Sequence, residues 1–212
     1  ASKEQTWPRQ VFLILKAGRM AQLKKSKGEI TREKLTFVAA ALFHEKGYHA
    51  VGLNEICAVG ELPKGSVYYH FPEGKEQIAV AVIETAKHQV ATDLRDAPSS
   101  ATSLEEFIDL LLARFAQNLE QSDFNKGCPI TTINLEMAGT SDAIRSACAD
   151  AFEHWIGLCT GVFRDADIAD DKAHELAELI YASIEGAMIL ARAQRDVSPI
   201  LRAAPYLKTL VA

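Results

Sequence analysis

Residues 52–76, GLNEICAVGELPKGSVYYHFPEGKE, constrain this chain more than any other stretch, because they spell two short helices around a glycine turn. Leu53, Ile56 and Val59 recur at helical spacing and offer one face of the first helix to a core. Gly60 follows, where a turn between helices calls for a residue that tolerates positive φ. Pro63 can open the second helix, since the first helical position has no backbone hydrogen bond to lose. That helix presents Lys64, Gly65, Ser66 and Tyr68 near its N-terminal end and closes on an aromatic cluster of Tyr68, Tyr69 and Phe71. The pattern is a helix-turn-helix, a motif that lays its second helix in the DNA major groove.

The flanks extend the pattern. Thr31 to Lys46 reads as a preceding helix with Leu35, Val38, Ala39, Leu42 and Phe43 on one face, capped by Thr31 and stopped by Gly47. After Phe71-Pro72 another helix runs from near Lys75 to about Leu94. Over these positions the chain resembles the TetR family of bacterial transcriptional repressors. The matching residues are Ala41-Leu42-Phe43, Lys46-Gly47-Tyr48, Ile56, Gly60, Lys64-Gly65-Ser66, Tyr68, Tyr69, Phe71 and Lys75-Glu76. Two positions depart from that family: Gly52 stands where a Ser or Thr cap is usual, and Pro63 where Ser or Thr is common. Both helices can still start, and the lost hydroxyl removes one phosphate contact. The competing reading is a bundle without a DNA role, in which Tyr68, Tyr69 and Phe71 are core.

Charge distribution is uneven. The chain has 212 residues with 23 Lys plus Arg against 28 Asp plus Glu. Residues 1–92 hold 13 basic and 9 acidic side chains, a net of +4, and residues 93–212 hold 10 and 19, a net of −9. An N-terminal half able to face phosphates is thus carried on an acidic body that they would repel. Residues 1–30 are expected to be an extension with a basic arm at Lys24, Lys25 and Lys27. Residues 1–19 lie outside the family pattern and read either as an upstream start before Met20 or as an extra helix. The arm either contacts phosphates or is a solvated lead-in.

The four cysteines, Cys57, Cys128, Cys148 and Cys159, show no CxxC or metal-ligand spacing. Cys148 and Cys159 fall on one helix about 16 Å apart, too far for a disulfide. Free buried thiols are expected, with a redox role for Cys128 beside Pro129 as an alternative. No run approaches the roughly 18 to 20 apolar residues of a membrane span, so a cytoplasmic protein is expected. Six histidines show no HExxH, and no P-loop, GxSxG or dinucleotide fingerprint is present. No enzyme, cofactor or metal is expected. His154, on one helix with Phe152 and Trp155, suits a core or ligand contact better than a catalytic base.

Beyond Leu94 the reading is all-α. Asp96 to Thr102 is a loop, and Ser103-x-x-Glu106 is a capping box before an apolar helix through Phe107, Leu111, Phe115 and Leu119. Asn125-Lys126-Gly127 breaks it. Pro129 to Met137 is a shorter helix, Gly139-Thr140 ends it, and Ser141 caps a long helix carrying Ile144, Cys148, Phe152, Trp155, Cys159 and Phe163. Residues 170–195 form the next helix and Pro199 to Leu210 the last. Ala182, Ser183, Gly186 and Ala187 give the 170–195 helix a second, small-residue face that suits a close helical partner.

The resemblance implies a three-helix DNA-binding domain over 31–76 and a ligand-binding, dimerising domain over 77–212. Gly127-Cys128-Pro129, Leu135 to Ala138, Glu185-Gly186-Ala187 and Ala191-Arg192-Ala193 look like the branch that controls multidrug and flavonoid-type efflux. It implies a homodimeric repressor on a near-palindromic operator, contacted through Thr31, Lys64, Gly65, Ser66, Tyr68, Tyr69, His70 and Lys75. A small apolar or aromatic ligand would release the DNA from a pocket drawn from Phe115, Phe124, Cys128, Met137, Phe152, Trp155 and Tyr181. The alternatives are a ligand-binding bundle without DNA and a thiol-based redox-responsive repressor.

Overall fold

A computed structural model describes residues 25–96, 101–125 and 127–211. Among them are nine helices and no strand: α1 (Lys27–Lys46), α2 (Leu53–Val59), α3 (Lys64–His70), α4 (Lys75–Asp96), α5 (Leu104–Gln121), α6 (Pro129–Met137), α7 (Asp142–Asp165), α8 (Asp170–Gln194) and α9 (Ser198–Lys208). The extension over 1–24, with Lys24 of the basic arm, lies outside the described residues, as do 97–100 and Lys126.

The first helix begins earlier than Thr31. Ser26 is its N-cap: the Ser26 hydroxyl accepts the Glu29 N–H at 3.2 Å, and the Glu29 carboxylate accepts the Ser26 N–H at 2.7 Å. This reciprocal pair satisfies two orphan amides, which a lone Thr31 cannot do. Thr31 instead sits one turn inside and donates its hydroxyl to the Lys27 carbonyl at 2.9 Å. Lys27 is therefore helical rather than part of an arm, and Lys25 pairs with Glu33.

At the glycine turn the left-handed residue is Glu61, at φ 50°, while Gly60 stays at φ −75°. Gly60 sits in a close-packed spot: a Cβ there would lie 3.0 Å from the Ile56 carbonyl oxygen and 3.4 Å from Leu62 Cδ1. Pro63 serves as N-cap of α3 with ψ 141°, so the helix opens on Lys64. Gly52 caps α2 without a side-chain bond.

In the C-terminal part the expected capping box is displaced by one residue. Ser103 accepts the Glu106 N–H at 3.2 Å, but Glu106 turns to the Thr102 N–H at 2.7 Å and its hydroxyl at 2.6 Å. The break after α5 also comes before Asn125: Ser122 is the C-cap, and Asp123 and Phe124 take φ 51° and 59°. Helix α6 spans Pro129–Met137 as expected, and Ser141 caps α7 by accepting the Ile144 N–H at 3.1 Å.

One hydrophobic cluster runs from Leu35 to Leu207. Helix α4 lies along α7, α7 along α8, and α9 against α5 and α8, while α1 rests on α4 and α6 with α2 and α3 beside it. Among the described residues Trp155 is the largest fully buried side chain, and its indole N–H donates to the Lys87 carbonyl at 2.9 Å. Lys87 also pairs with Asp150, so α4 and α7 are held by apolar burial and by charge. No helix among the described residues is long and apolar enough to cross a membrane.

Candidate nucleic-acid interface and cavity

Helix α3 has seven residues and buries one, Val67. The aromatic cluster beside it splits by role. Phe71 is fully buried, whereas Tyr68 is 63% and Tyr69 81% exposed. Solvating two tyrosine rings does nothing for this chain's own core. Lys64 is exposed and makes no ion pair with any described residue. A Cβ at Gly65 would meet nothing within 4 Å among the described residues, so none of them requires glycine there. Ser66 is half-buried with its amide bonded to the Pro63 carbonyl at 2.9 Å.

The end of α3 is braced from α1. Arg32 donates to the His70 carbonyl at 2.8 Å, and its guanidinium lies 4.3 Å from the centroid of the Phe71 ring. The His70 ring stands edge-on to Tyr69 at 4.8 Å. Lys64, Gly65, Ser66, Tyr68, Tyr69 and His70 are thus gathered on one short helix whose end is held by Arg32.

Two other predicted contact residues have their polar atoms engaged within the fold. Thr31 bonds inside α1, as above. The Lys75 ammonium donates to the carbonyls of Tyr48 at 2.9 Å and Val51 at 2.8 Å, and stands 4.1 Å above the Tyr48 ring. Burial lowers the Lys75 pKa from its ordinary value, and Glu136 pulls it back up. Lys75 therefore holds the turn between α1 and α2.

The predicted pocket residues divide in the same way. Phe152, Trp155 and Tyr181 form a ring cluster with centroids 5.9 to 6.0 Å apart. Met137 is buried core, Phe115 is packed half-buried against it, and the Phe124 ring lies 5.7 Å from the Arg195 guanidinium. A cavity of about 640 Å3 opens between α6 and α8, and of the seven only Cys128 lines it. Its other walls are Gly127, Thr131, Thr132, Leu135 and Glu136, facing Glu185, Met188, Ile189, Arg192 and Ala193. Spacings of three and four along both helices bring this set to one wall. The ring cluster reaches the cavity through Glu185, which accepts the Tyr181 hydroxyl at 2.9 Å and the Thr131 hydroxyl at 2.9 Å.

All four cysteines are free. Burial, and then the neighbouring Glu185, pushes the Cys128 thiol up to about 12. Burial raises Cys159 to about 12 and Cys148 to about 11. Burial thus disfavours the thiolate, the nucleophilic form, at all three.

Residues 36–82 match the model of bacterial regulatory proteins of the tetR family, and residues 105–206 match the C-terminal domain of LmrA/YxaF-like transcriptional regulators. The chain is 31% identical over 186 residues to the HTH-type transcriptional regulator YxaF of Bacillus subtilis, covering 88% of this chain and 97% of that protein. It is 30% identical over 171 residues to the HTH-type transcriptional regulator LmrA of the same organism, covering 81% and 91%. The crystal structure of Escherichia coli NemR in its reduced form superposes with a TM-score of 0.74 at 26% identity, covering 86% of this chain and 97% of that one. A helix-turn-helix with a solvent-facing second helix, followed by an LmrA/YxaF-like C-terminal domain, places this chain in the TetR family of transcriptional regulators.

Proposed function

We propose that this regulator is a homodimeric repressor that binds a near-palindromic operator and leaves it when a small apolar or aromatic ligand occupies its C-terminal domain, 77–212. The observation that carries the reading is the outward face of α3, where Lys64, Gly65, Tyr68 and Tyr69 are solvent-exposed and none is buried against another described residue. In this reading Lys64 and Ser66 meet base edges and phosphates, Gly65 lets the backbone approach, and Tyr68, Tyr69 and His70 position the phosphate strand. Thr31 and Lys75 act indirectly, by fixing α1 and the turn after it.

Dimerisation has its own support. Leu179, Ile189 and Leu190 on α8 and Leu201 and Tyr206 on α9 are exposed, and the surface at Gly186 is open. Apolar residues presented by adjacent helices suit an isologous two-fold contact. Two copies would set two α3 helices on half-sites one helical turn or more apart.

For release, the α6–α8 cavity supports the reading through its mixture of apolar walls and a few polar groups. A ligand that prefers the form unable to bind DNA shifts the population toward it. The surroundings of Cys128, whose burial and neighbouring Glu185 disfavour a thiolate, count against the thiol-based alternative. The test is a gel shift at several salt concentrations on the DNA upstream of the regulator's own gene, repeated with compounds selected by thermal shift. Salt-sensitive, sequence-selective retention relieved by a hit is expected. No selective retention at low salt overturns the DNA role, and tight binders that all leave DNA affinity unchanged overturn release by ligand.

A further inference from the structure

Two walls of the α6–α8 cavity are hydrogen-bonded directly to the DNA-binding domain. Glu136 lines the cavity, and its carboxylate accepts the backbone N–H of Tyr48 at 3.1 Å and of His49 at 2.8 Å. Gly127 lines it too, and its carbonyl is 2.8 Å from His44 Nε2. The Glu136 carboxylate also lies against Gly47, where a Cβ would stand 2.3 Å from Oε1. Gly47, at φ 83°, ends α1, and Tyr48 and His49 form the turn into α2. On the other side of that turn Lys75 holds the carbonyls of Tyr48 and Val51. One turn is therefore clamped between an anion on its amides and a cation on its carbonyls, an arrangement of charge-assisted bonds stronger than neutral ones.

We propose that Glu136 is the positioning residue through which the state of the cavity sets the orientation of the helix-turn-helix. The inference rests on the reading of this chain as a ligand-released repressor and adds which atoms carry the release. A carboxylate that serves both as cavity wall and as acceptor for two amides cannot be displaced by an occupant without freeing those amides. The partner charge on Lys75 then holds the turn from one side only, and the chain entering α2 loses the acceptor on its amides while Arg32 still braces the end of α3. Coupling of this kind is a measurable free energy between two places, and a double-mutant cycle isolates it.

The experiment fills the cavity by substitution, with no ligand required. Thr132→Trp places a bulky ring at the cavity wall, and Glu136→Ala removes the carboxylate. Each variant, and the double variant, is titrated against a duplex that the wild-type protein has selected from a random pool, at fixed salt. In parallel, amide hydrogen exchange is followed at Tyr48 and His49. The expected result is at least a tenfold faster exchange at Tyr48 and His49 in Glu136→Ala, with the core amides of α7 unchanged. Thr132→Trp is expected to shift operator affinity at least fivefold in the wild-type background and less than twofold in Glu136→Ala. Unchanged exchange at Tyr48 and His49 in Glu136→Ala overturns the proposal. An equal affinity shift in both backgrounds also overturns it while leaving ligand release standing, and so does no shift in either. Failure of the wild-type protein to select any duplex instead removes the DNA-binding reading beneath it.

Discussion

Lys75 and Tyr48 are bound twice over: the lysine ammonium donates to the Tyr48 carbonyl at 2.9 Å and stands 4.1 Å above the same residue's ring. A surface lysine free to meet phosphate would have neither contact. Lys75→Met keeps most of the stem and removes both, so it is expected to cost about 1 to 3 kcal/mol of stability. Urea denaturation measures the loss. Intact stability with collapsed operator affinity would return Lys75 to the phosphate contact that the family pattern suggests.

The solvated residues of α3 should behave in the opposite way. Tyr69 is 81% exposed, so Tyr69→Ala is expected to change stability by less than about 0.5 kcal/mol. Lys64→Ala is expected to weaken operator binding by about 1 to 3 kcal/mol if it reads a base, and to lower the salt slope by about one if it meets a phosphate. Titrations at three salt concentrations separate the two. Unchanged affinity and slope would remove Lys64 from the interface.

The cysteines predict a pH response. An unfolded thiol ionises near its ordinary value, whereas Cys128 and Cys159 are raised to about 12 and Cys148 to about 11 in the fold. The folded state thus retains protons that the unfolded state has lost. The stabilisation is complete below about pH 8.5 and disappears as pH rises toward 11 to 12. Thermal melts from pH 8 to 11 should show a falling Tm that flattens when all three are changed to Ala or Ser. At pH 8, Cys128 should react with iodoacetamide about 1,000-fold more slowly than a free thiol, read by mass spectrometry. Rapid alkylation in the native protein would revive the redox reading.

Gly186 tests the assembly. A Cβ there meets nothing within one copy, so Gly186→Trp should fold, yet it would overfill a close contact between two copies. Sedimentation is expected to show a wild-type dimer and a variant shifted toward monomer. A wild-type monomer at micromolar concentration contradicts the two-fold operator as well.

Trp155 tests the α4–α7 seam. Trp155→Phe leaves the Lys87 carbonyl without its indole donor and should cost about 1 to 3 kcal/mol. Because Trp155 is buried and absent from the cavity wall, ligand affinity in the folded variant should change little. A selective loss of ligand binding would place the pocket at the ring cluster.

Local chemistry was legible along the chain wherever a residue's role depends on near neighbours. The helices of the DNA-binding motif, Pro129–Met137, the Ser141 cap and the Gly47 stop all follow from spacings of a few residues. Where the local structure departs from the pattern, two local solutions compete. Ser26 with Glu29 outcompetes Thr31 as the cap, and Glu61 rather than Gly60 takes the left-handed conformation, while Gly60 packs closely under the Ile56 carbonyl.

Which polar atoms remain available for DNA or ligand was decided only by the tertiary structure. Glu136 meets Tyr48 across 88 positions, His44 meets Gly127 across 83, and Lys75 reaches Tyr48 across 27. Periodicity records which side of a helix is apolar, and so it separates core from surface. It does not record which distant backbone groups will be buried unsatisfied and must recruit a charged side chain. The helices and their order are therefore properties of the sequence. The spending of Lys75 and Glu136 on one turn, and the cavity walled by Thr131, Thr132 and Glu185 instead of by aromatics, exist only once α1, α4, α6 and α8 have packed.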